Sequence, residues 1–404
     1  MSITPRRSLR TGLSVWDSAA LLPVRYESLR ADLSADVLII GAGISGALAA
    51  DSLSDAGLRV VVADRRRPVT GATPASTALI QYDLDLPLVR LAERIGAAGA
   101  SRVWQRARLA MDALHQRTRH LGIDAGFEQY DSLYLDGTVL CPRGLAREAE
   151  ARRGAGFEVT LLEPQEVERR VGIRGRTAIL SYDQLAADPR RLATDFLRAA
   201  VSRGTRIVSP ADITTVVPSS DEVIAGTSAG PAIRARHLVF ATGYEVPVGV
   251  PRAGHATAST WAIATRRQPR NLWPGRCMIW EASDPYLYVR TALGGRVVCG
   301  GEDEAFSDTA ARDALLPEKT RQLEARLAAL FPRLDPRARY AWCGTFGLSE
   351  TGMPSIGPVP GMPNCFAVLG YGGNGVTFSA LAAQLLRNQI AGSGDPDADL
   401  FAFR

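Results

Sequence analysis

Lysine is almost missing from this chain of 404 residues: of 47 basic residues all but Lys319 are arginine. Chemistry that needs an ε-ammonium, as nucleophile or as a fixed counter-charge, therefore has a single candidate. Histidine is scarce, and His115, His120, His237 and His255 form no pair at metal-ligand spacing. The five cysteines, Cys141, Cys277, Cys299, Cys343 and Cys365, include no Cys-x-x-Cys. No metal is expected, and the odd count fits free thiols in a reducing compartment, so a cytoplasmic location is expected. No apolar run approaches the roughly 18 residues of a transmembrane helix. Residues 1–35 hold basic residues but no apolar core of a secretory signal. Blocks of like charge are short, as in Arg65-Arg66-Arg67, and the two signs are mixed. The formal net charge of +5 thus marks no basic face, and nucleic acid is not an expected partner.

What is present is organised around one stretch. Val37-Leu38-Ile39-Ile40 reads as a strand buried on both faces. It breaks into Gly41-x-Gly43-x-x-Gly46 and continues as a helix through Ala47, Leu48, Ala49, Ala50 and Leu53. Gly41 permits the tight turn, Gly43 lets backbone approach a diphosphate, and Gly46 lets the helix pack on the strand. Ile44 and Ser45 then stand at a helix N-terminus facing the phosphates. A second apolar run, Val60 to Ala63, ends in Asp64, at the distance expected of an acid holding a ribose hydroxyl. The pattern points to a dinucleotide site; a ligand-free βαβ unit is the alternative.

The rest of the chain reads as α/β. Residues 1–29 form an N-terminal arm packed on the surface. Residues 65–85, with Pro68, Gly71 and Pro74, are a long irregular loop, either functional or plain surface. Residues 87–121 carry helical periodicity, and helices are expected near 143–153, from Pro164, from Pro189 and from Pro317. His237 to Gly243 is again strand into glycine turn. From Ala258 to Glu302 short β segments alternate with turns, as in an antiparallel sheet of another domain. Cys365 to Leu369 is a buried strand leading into Gly370-Tyr371-Gly372-Gly373-Asn374-Gly375 and a final helix.

In this order the motifs are specific. The Gly41/Gly43/Gly46 turn with Asp64, the Ala241-Thr242-Gly243 turn and the Tyr286-x-Tyr288-x-Arg290 to Gly300 hairpin come first. Trp342-Cys343-Gly344 and the glycine cluster before the last helix complete the set. Over nearly its whole length the chain resembles the FAD-dependent oxidoreductases of the D-amino-acid oxidase superfamily. Glycine oxidase, sarcosine oxidase and gamma-glutamylputrescine oxidase are the types it looks most like. The resemblance implies a Rossmann-like FAD-binding domain with an inserted antiparallel β-sheet substrate domain. The first would comprise residues 30–90, 185–250 and 338–404, and the second 91–184 and 251–337. It implies bound FAD, held by Gly41, Gly43, Ile44, Ser45, Gly46, Asp64, Arg65, Ser76, Thr77, Thr242, Gly243, Gly344, Gly372, Gly373, Asn374 and Gly375. It implies hydride transfer to flavin from a carbon bearing an amine, then hydrolysis of the imine, with no acid–base dyad required. Tyr371, Tyr288 and Arg290 are the catalytic candidates, with Tyr82 and Tyr286 as further pocket residues.

The departures from the family narrow the substrate. In glycine oxidase-like members an arginine two positions after Trp-x-Gly binds the carboxylate; here Phe346 stands there, with Arg290 the only suggested substitute. A small-molecule amine is thus expected over a simple amino acid. In sarcosine oxidase-like members a lysine near the flavin favours oxygen as acceptor; the matching position here is Val298. Oxygen and a quinone or carrier both stay open as acceptors, with Arg290 and His255 as replacement cations. Cys343 is close to the position where sarcosine oxidase binds flavin covalently. A tRNA-modifying flavoenzyme and a non-catalytic flavin protein are the remaining alternatives.

Overall fold

The computed structural model describes residues 2–252 and 254–403. The strands form two sheets. The first is laid down in the order Ser355–Pro358, Cys365–Leu369, Ala232–Phe240, Leu33–Ile40, Val60–Ala63, Arg206–Val208, and a meander of Ile213–Pro218 and Val223–Thr227 pairs onto Ala232–Phe240. Leu33–Ile40 lies parallel to both of its neighbours, with Ile40 level with Ala63 on one side and Phe240 on the other. The chain leaves this central strand to one side and returns on the other. The carboxyl ends therefore open a crevice at the point where the strand order reverses. Both faces are covered, which is why the strands read as continuous apolar runs. Val37, Ile39, Val60, Val62 and Val239 pack under the helices Ile44–Asp55, Pro189–Ser202 and Gly375–Ile390, while Leu38, Ile40, Val61, Leu238 and Phe240 pack under the meander.

The second sheet runs Arg10–Leu13, Ala338–Ser349, His255–Thr265, Arg296–Glu304, Leu287–Ala292, Met278–Glu281, Glu128–Leu135, Ala178–Ala186, Leu79–Ile80, with Val159–Leu162 paired onto Ala178–Ala186. It departs from the expectation in three ways. Met278–Glu281 pairs parallel with Glu128–Leu135, so the sheet is mixed rather than antiparallel throughout. Ala338–Ser349, assigned from sequence to the cofactor domain, pairs along most of its length with His255–Thr265 and belongs here. The arm supplies an edge strand, Arg10–Leu13, paired with Ala338–Ser349, rather than merely lying on the surface.

Side-chain alternation gives this sheet two different faces. Leu133, Ile279, Val289, Val297, Cys299, Ile263 and Cys343 pack in one cluster with Leu323 and Leu327 of the helix Leu316–Leu330 and Val167 and Val171 of Pro164–Val171. Thr260, Trp280, Tyr288 and Gly344 point the other way, toward the cofactor domain. The helical stretch expected over 87–121 breaks at Gly96, whose φ of 80° ends one helix and starts the next. Among the described residues, no helix is long and apolar enough to cross a membrane.

Candidate active site

The crevice at the strand ends is lined by Gly41, Gly43, Ile44, Ser45, Asp64, Arg65, Thr242 and Gly243. Each glycine of the turn has a distinct reason. A Cβ on Gly41 would lie 2.3 Å from the Ala241 carbonyl, and its φ is 115°. A Cβ on Gly46 would lie 1.8 Å from the Gly41 carbonyl oxygen, so this residue closes the turn and does not line the crevice. A Cβ on Gly43 would meet only Thr73 Oγ1, at 3.2 Å, and otherwise project into open space. Backbone packing therefore requires glycine at Gly46, whereas at Gly43 a Cβ faces the crevice and not the backbone.

The residues present fit a flavin dinucleotide. Ala47 N–H bonds back to Gly43 and Ile44 N–H donates to Thr73 Oγ1, while among the described residues the N–H groups of Ser45 and Gly46 have no protein acceptor. They are free donors at the positive end of a helix. Thr242 Oγ1 lines the crevice, buried and without a partner. Asp64 accepts from the N–H groups of Ala42 and Arg66, each at 2.7 Å, which aims its carboxylate into the crevice. Burial pushes that carboxyl above its ordinary range, against the pull of those two bonds.

Arg65 also lines the crevice, but its guanidinium is already engaged. It pairs with Glu245 at 2.5 Å and donates to the carbonyl of Pro5 at 2.6 Å. Arg66 grips the same Glu245 and the carbonyl of Arg7. The arm is thereby tied across the crevice, where Ile3, Thr4 and Leu9 become lining residues. Sequence reading missed this contribution, since the arm carries no motif.

A second cavity opens from the first, with Ala72, Ser76, Tyr244 and Gly375 common to both linings. Its roof is Thr260, Trp280, Tyr286, Tyr288, Gly344, Thr345 and Phe346, and its floor is Thr77, Gln81, Asp85, Gly372, Gly373 and Asn374. Asn374 Oδ1 accepts from Asp85 N–H at 3.0 Å, its Nδ2 donates to the Asp83 carbonyl at 2.9 Å, and Thr377 Oγ1 donates to the Gln81 carbonyl at 2.8 Å. The floor loop is thus stitched to the start of the last helix. From below, Arg152, fully buried, pairs with Asp83 at 3.1 Å and Glu148 at 2.8 Å.

The structure redistributes the candidate side chains. Tyr288 and Tyr286 stand in the cavity wall, rings 5.7 Å apart. Burial raises both hydroxyls well above the ordinary tyrosine range, so they stay protonated donors. Tyr371 instead faces the dinucleotide crevice, and its hydroxyl donates to the Val368 carbonyl at 3.1 Å. Tyr82 turns away and stacks on Phe157 with ring centroids 5.4 Å apart. Arg290 does not line the cavity: it is 3% exposed, donates to the carbonyls of Thr77 and Ala187, and lies over Trp16. Burial holds its guanidinium down to about 10. It is a strut that fixes the loop at Thr77, neither a carboxylate clamp nor a surface arginine.

Cys343 lies on the far face of the roof, its Sγ 3.4 Å from Asp313 Oδ1, and burial pushes its thiol up to about 11. Trp342 and Gly344, on the cavity face, separate it from any ring in the crevice, so it is not placed to form a covalent flavin link. Lys319 lies on the same far face, 2.6 Å from Glu304 and over Trp261. Val298 is buried with Trp16 and Trp342. His255 bonds to Ser355 at 2.9 Å and does not line the cavity. Among the described lining residues, Asp85 is the only charged side chain. It is accessible yet densely surrounded, which places its carboxylate on the inner surface of the cavity.

Residues 36–389 match the family model of the FAD dependent oxidoreductases, DAO. Gamma-glutamylputrescine oxidoreductase of Escherichia coli is 23% identical over 385 residues, covering 92% of this chain and 87% of that one. The crystal structure of glycine oxidase from Geobacillus kaustophilus superposes with a TM-score of 0.74 at 21% identity, over 92% of this chain and 99% of that one. L-proline dehydrogenase from P. horikoshii superposes with a TM-score of 0.76 at 16% identity, over 92% and 97%.

Proposed function

This chain belongs to the DAO family of FAD-dependent oxidoreductases, enzymes of amines and amino acids, and we propose that it oxidises the C–N bond of an amine lacking an α-carboxylate. The observation that carries this reading is the charge of the cavity: among the described lining residues Asp85 is the only charged side chain, and Phe346 forms part of the wall. An entering α-carboxylate would lose its hydration, find no guanidinium or ammonium, and face a like charge. An ammonium would lose its hydration and gain Asp85.

Bound FAD would supply the hydride acceptor. Ser45 and Gly46 N–H groups and the dipole of the helix Ile44–Asp55 are suited to its diphosphate, and Asp64 to its ribose. The turn Gly372–Gly375 presents backbone N–H groups where the two cavities join. Tyr244, Trp280, Tyr286 and Tyr288 exclude water while the substrate C–H bond is held in line. The substrate gives up the C–H hydrogen with its electron pair and loses an N–H proton to water, a C=N bond forms, and water then adds and breaks that bond, releasing the carbonyl product and ammonia or an amine.

For the electron acceptor, a quinone or carrier is the reading the structure supports over oxygen. Superoxide forming beside the ring gains from a fixed cation. The lysine-equivalent Val298 is apolar, Lys319 is committed on the opposite face, and Arg290 and His255 lie outside the lining.

Anaerobic mixing of the FAD-loaded protein with amines, glycine and D-alanine tests the substrate reading. Amines should bleach the flavin about a hundredfold faster than either amino acid, as expected for a missing charged contact. Glycine matching the best amine would overturn it. Mixing the amine-reduced protein with aerated buffer, and separately with a quinone dye, tests the acceptor: the dye should win.

A further inference from the structure

Asp303 stands behind the lining of the second cavity, against Thr260 and Tyr286. It lies on the roof strand Arg296–Glu304 at a break in register. Opposite that strand, Ser259 pairs with Glu304 but Trp261 pairs with Gly301, so Glu302 and Asp303 together oppose Thr260. This is a β-bulge, a device that re-aims side chains. Glu302 takes a φ of 58°, in the left-handed region that non-glycine residues rarely occupy. Glu302 turns toward Arg326 and Lys319, with contacts of 2.5 and 3.9 Å. Asp303 turns the other way, against Thr260 and Tyr286, and both of those line the cavity.

The Asp303 carboxylate is compensated only by the hydroxyls of Thr260 and Tyr286, which pull against its burial, and it forms no salt bridge with a described residue. Both of its oxygens are buried and neither has a hydrogen-bond partner of good geometry. The charges acting on it from the packed elements are Asp85 and Asp284, both of its own sign. Asp85 is only half used: Oδ2 accepts from Gly373 N–H at 2.6 Å, and Oδ1 accepts from no described residue. Tyr286 feels both carboxylates. A buried carboxylate without a counter-charge is costly, and a cationic ligand offsets that cost.

We propose that Asp85 and Asp303 bind the two ends of a dicationic substrate. The reacting amine lies against Asp85, and a second ammonium on an alkyl tether reaches Asp303 along the Tyr286 wall. The proposal rests on the reading of this cavity as an amine site. The tether lies on Trp280, Tyr286 and Tyr288, which suit methylene groups, and an ammonium beside tyrosine faces gains further attraction. The substrate class is an α,ω-diamine or a longer polyamine.

The test uses the FAD-loaded protein, titrated anaerobically with α,ω-diaminoalkanes of three to six carbons and with amino alcohols of the same lengths. The best diamine should bleach the flavin at about thirtyfold lower concentration than its amino alcohol, the value of one charged contact. Asp303→Asn should bring that ratio close to one; Asp303→Ser serves if the Asn variant fails to load FAD. Equal potency in the wild type, or an undiminished ratio in the variant, overturns the proposal. If no amine bleaches the flavin, the function reading fails by itself. The dication site is then read from the shift of the oxidised flavin spectrum on diamine binding. That shift should occur at about tenfold higher diamine concentration in Asp303→Asn, and its absence in the wild type overturns the site.

Discussion

The two cavities share a boundary and are built by opposite means. The dinucleotide crevice is mostly backbone: a six-residue glycine turn, the ends of parallel strands and two free N–H groups at a helix start. The substrate cavity is mostly side chain, drawn from six separate stretches between Ala72 and Gly375. Backbone recognition leaves little room for single substitutions to retune a site, because geometry and not chemistry holds the ligand. Side-chain recognition leaves a great deal. A substitution at Phe346 or Asp303, the residues proposed to set the substrate, leaves the strands of the crevice undisturbed. The difference predicts that lesions at the two sites separate cleanly.

The largest effect should come from the crevice turn, and it separates fold from ligand within six residues. Gly46→Ala forces a methyl to within 1.8 Å of the Gly41 carbonyl oxygen, a backbone atom that cannot swing aside. We expect a loss of at least about 3 kcal/mol, or no folded protein, in thermal denaturation. The Cβ that Gly43→Val adds meets only Thr73 Oγ1, at 3.2 Å, in extended backbone with φ of −84°. Its melting without added FAD should stay within about 1 kcal/mol of wild type, while FAD affinity by fluorescence quenching falls about a hundredfold. Equal melting losses in the two variants would break the distinction.

The next effect belongs to the substrate cavity. Arg152 is fully buried between Asp83 and Glu148, with its guanidinium over Trp104, 4.6 Å from the ring centre. Glu148 in turn accepts the N–H groups of Leu88 and Val89, each at 2.9 Å. Arg152→Met leaves two buried carboxylates without their cation, which costs about 3–5 kcal/mol when one partner of a buried pair is removed. The damage falls on the floor loop that carries Asp85. Thermal denaturation should show the loss and substrate titration a rise of about tenfold in apparent Kd. The FAD content at room temperature should hold. Loss of FAD in parallel with substrate binding would mean that the two sites are not separable.

How far each cavity could be read in advance follows the same line. The crevice was legible because its signals are local: the turn after Ile40, Asp64 closing the next strand, and Thr242-Gly243 closing another all lie at strand ends. The cavity was legible only in outline. Alternation tells that Trp342, Gly344 and Phe346 share a face, but both faces of that strand are buried, so periodicity does not tell which face meets the cavity. The fold settles it, and sends Cys343 to the far side. Tyr82 failed for a related reason, since a loop aromatic can stack outward on Phe157 as readily as inward. Arg290 reads as a clamp or a surface residue until its backbone acceptors are seen. Asp303 is hidden most completely, because the bulge at Glu302 reverses the side that alternation assigns to it.

That carboxylate also supplies the smallest and most specific effect. Burial, reinforced by Asp85 and Asp284, pushes the Asp303 carboxyl up to about 6 from an ordinary value of 3.8. Between those values the native state holds a proton that the unfolded chain has released, so this group makes stability fall as pH rises. Its cost is absent below about pH 3.8 and fully present above about pH 6. Asp303→Asn keeps the shape and removes the charge. The variant should match wild type near pH 4 and exceed it by on the order of 2 kcal/mol at pH 7, read as a gap in Tm that opens between the two. No lesion in the crevice should produce that pH signature, since no unpaired carboxylate is found there among the described residues. A saturating diamine at pH 7 should then close the gap from the wild-type side, because a bound ammonium compensates the charge that the substitution deletes. A gap that is constant across pH would show that Asp303 is already paired or neutral, and would leave Asp85 as the only anion of the proposed amine site among the described residues.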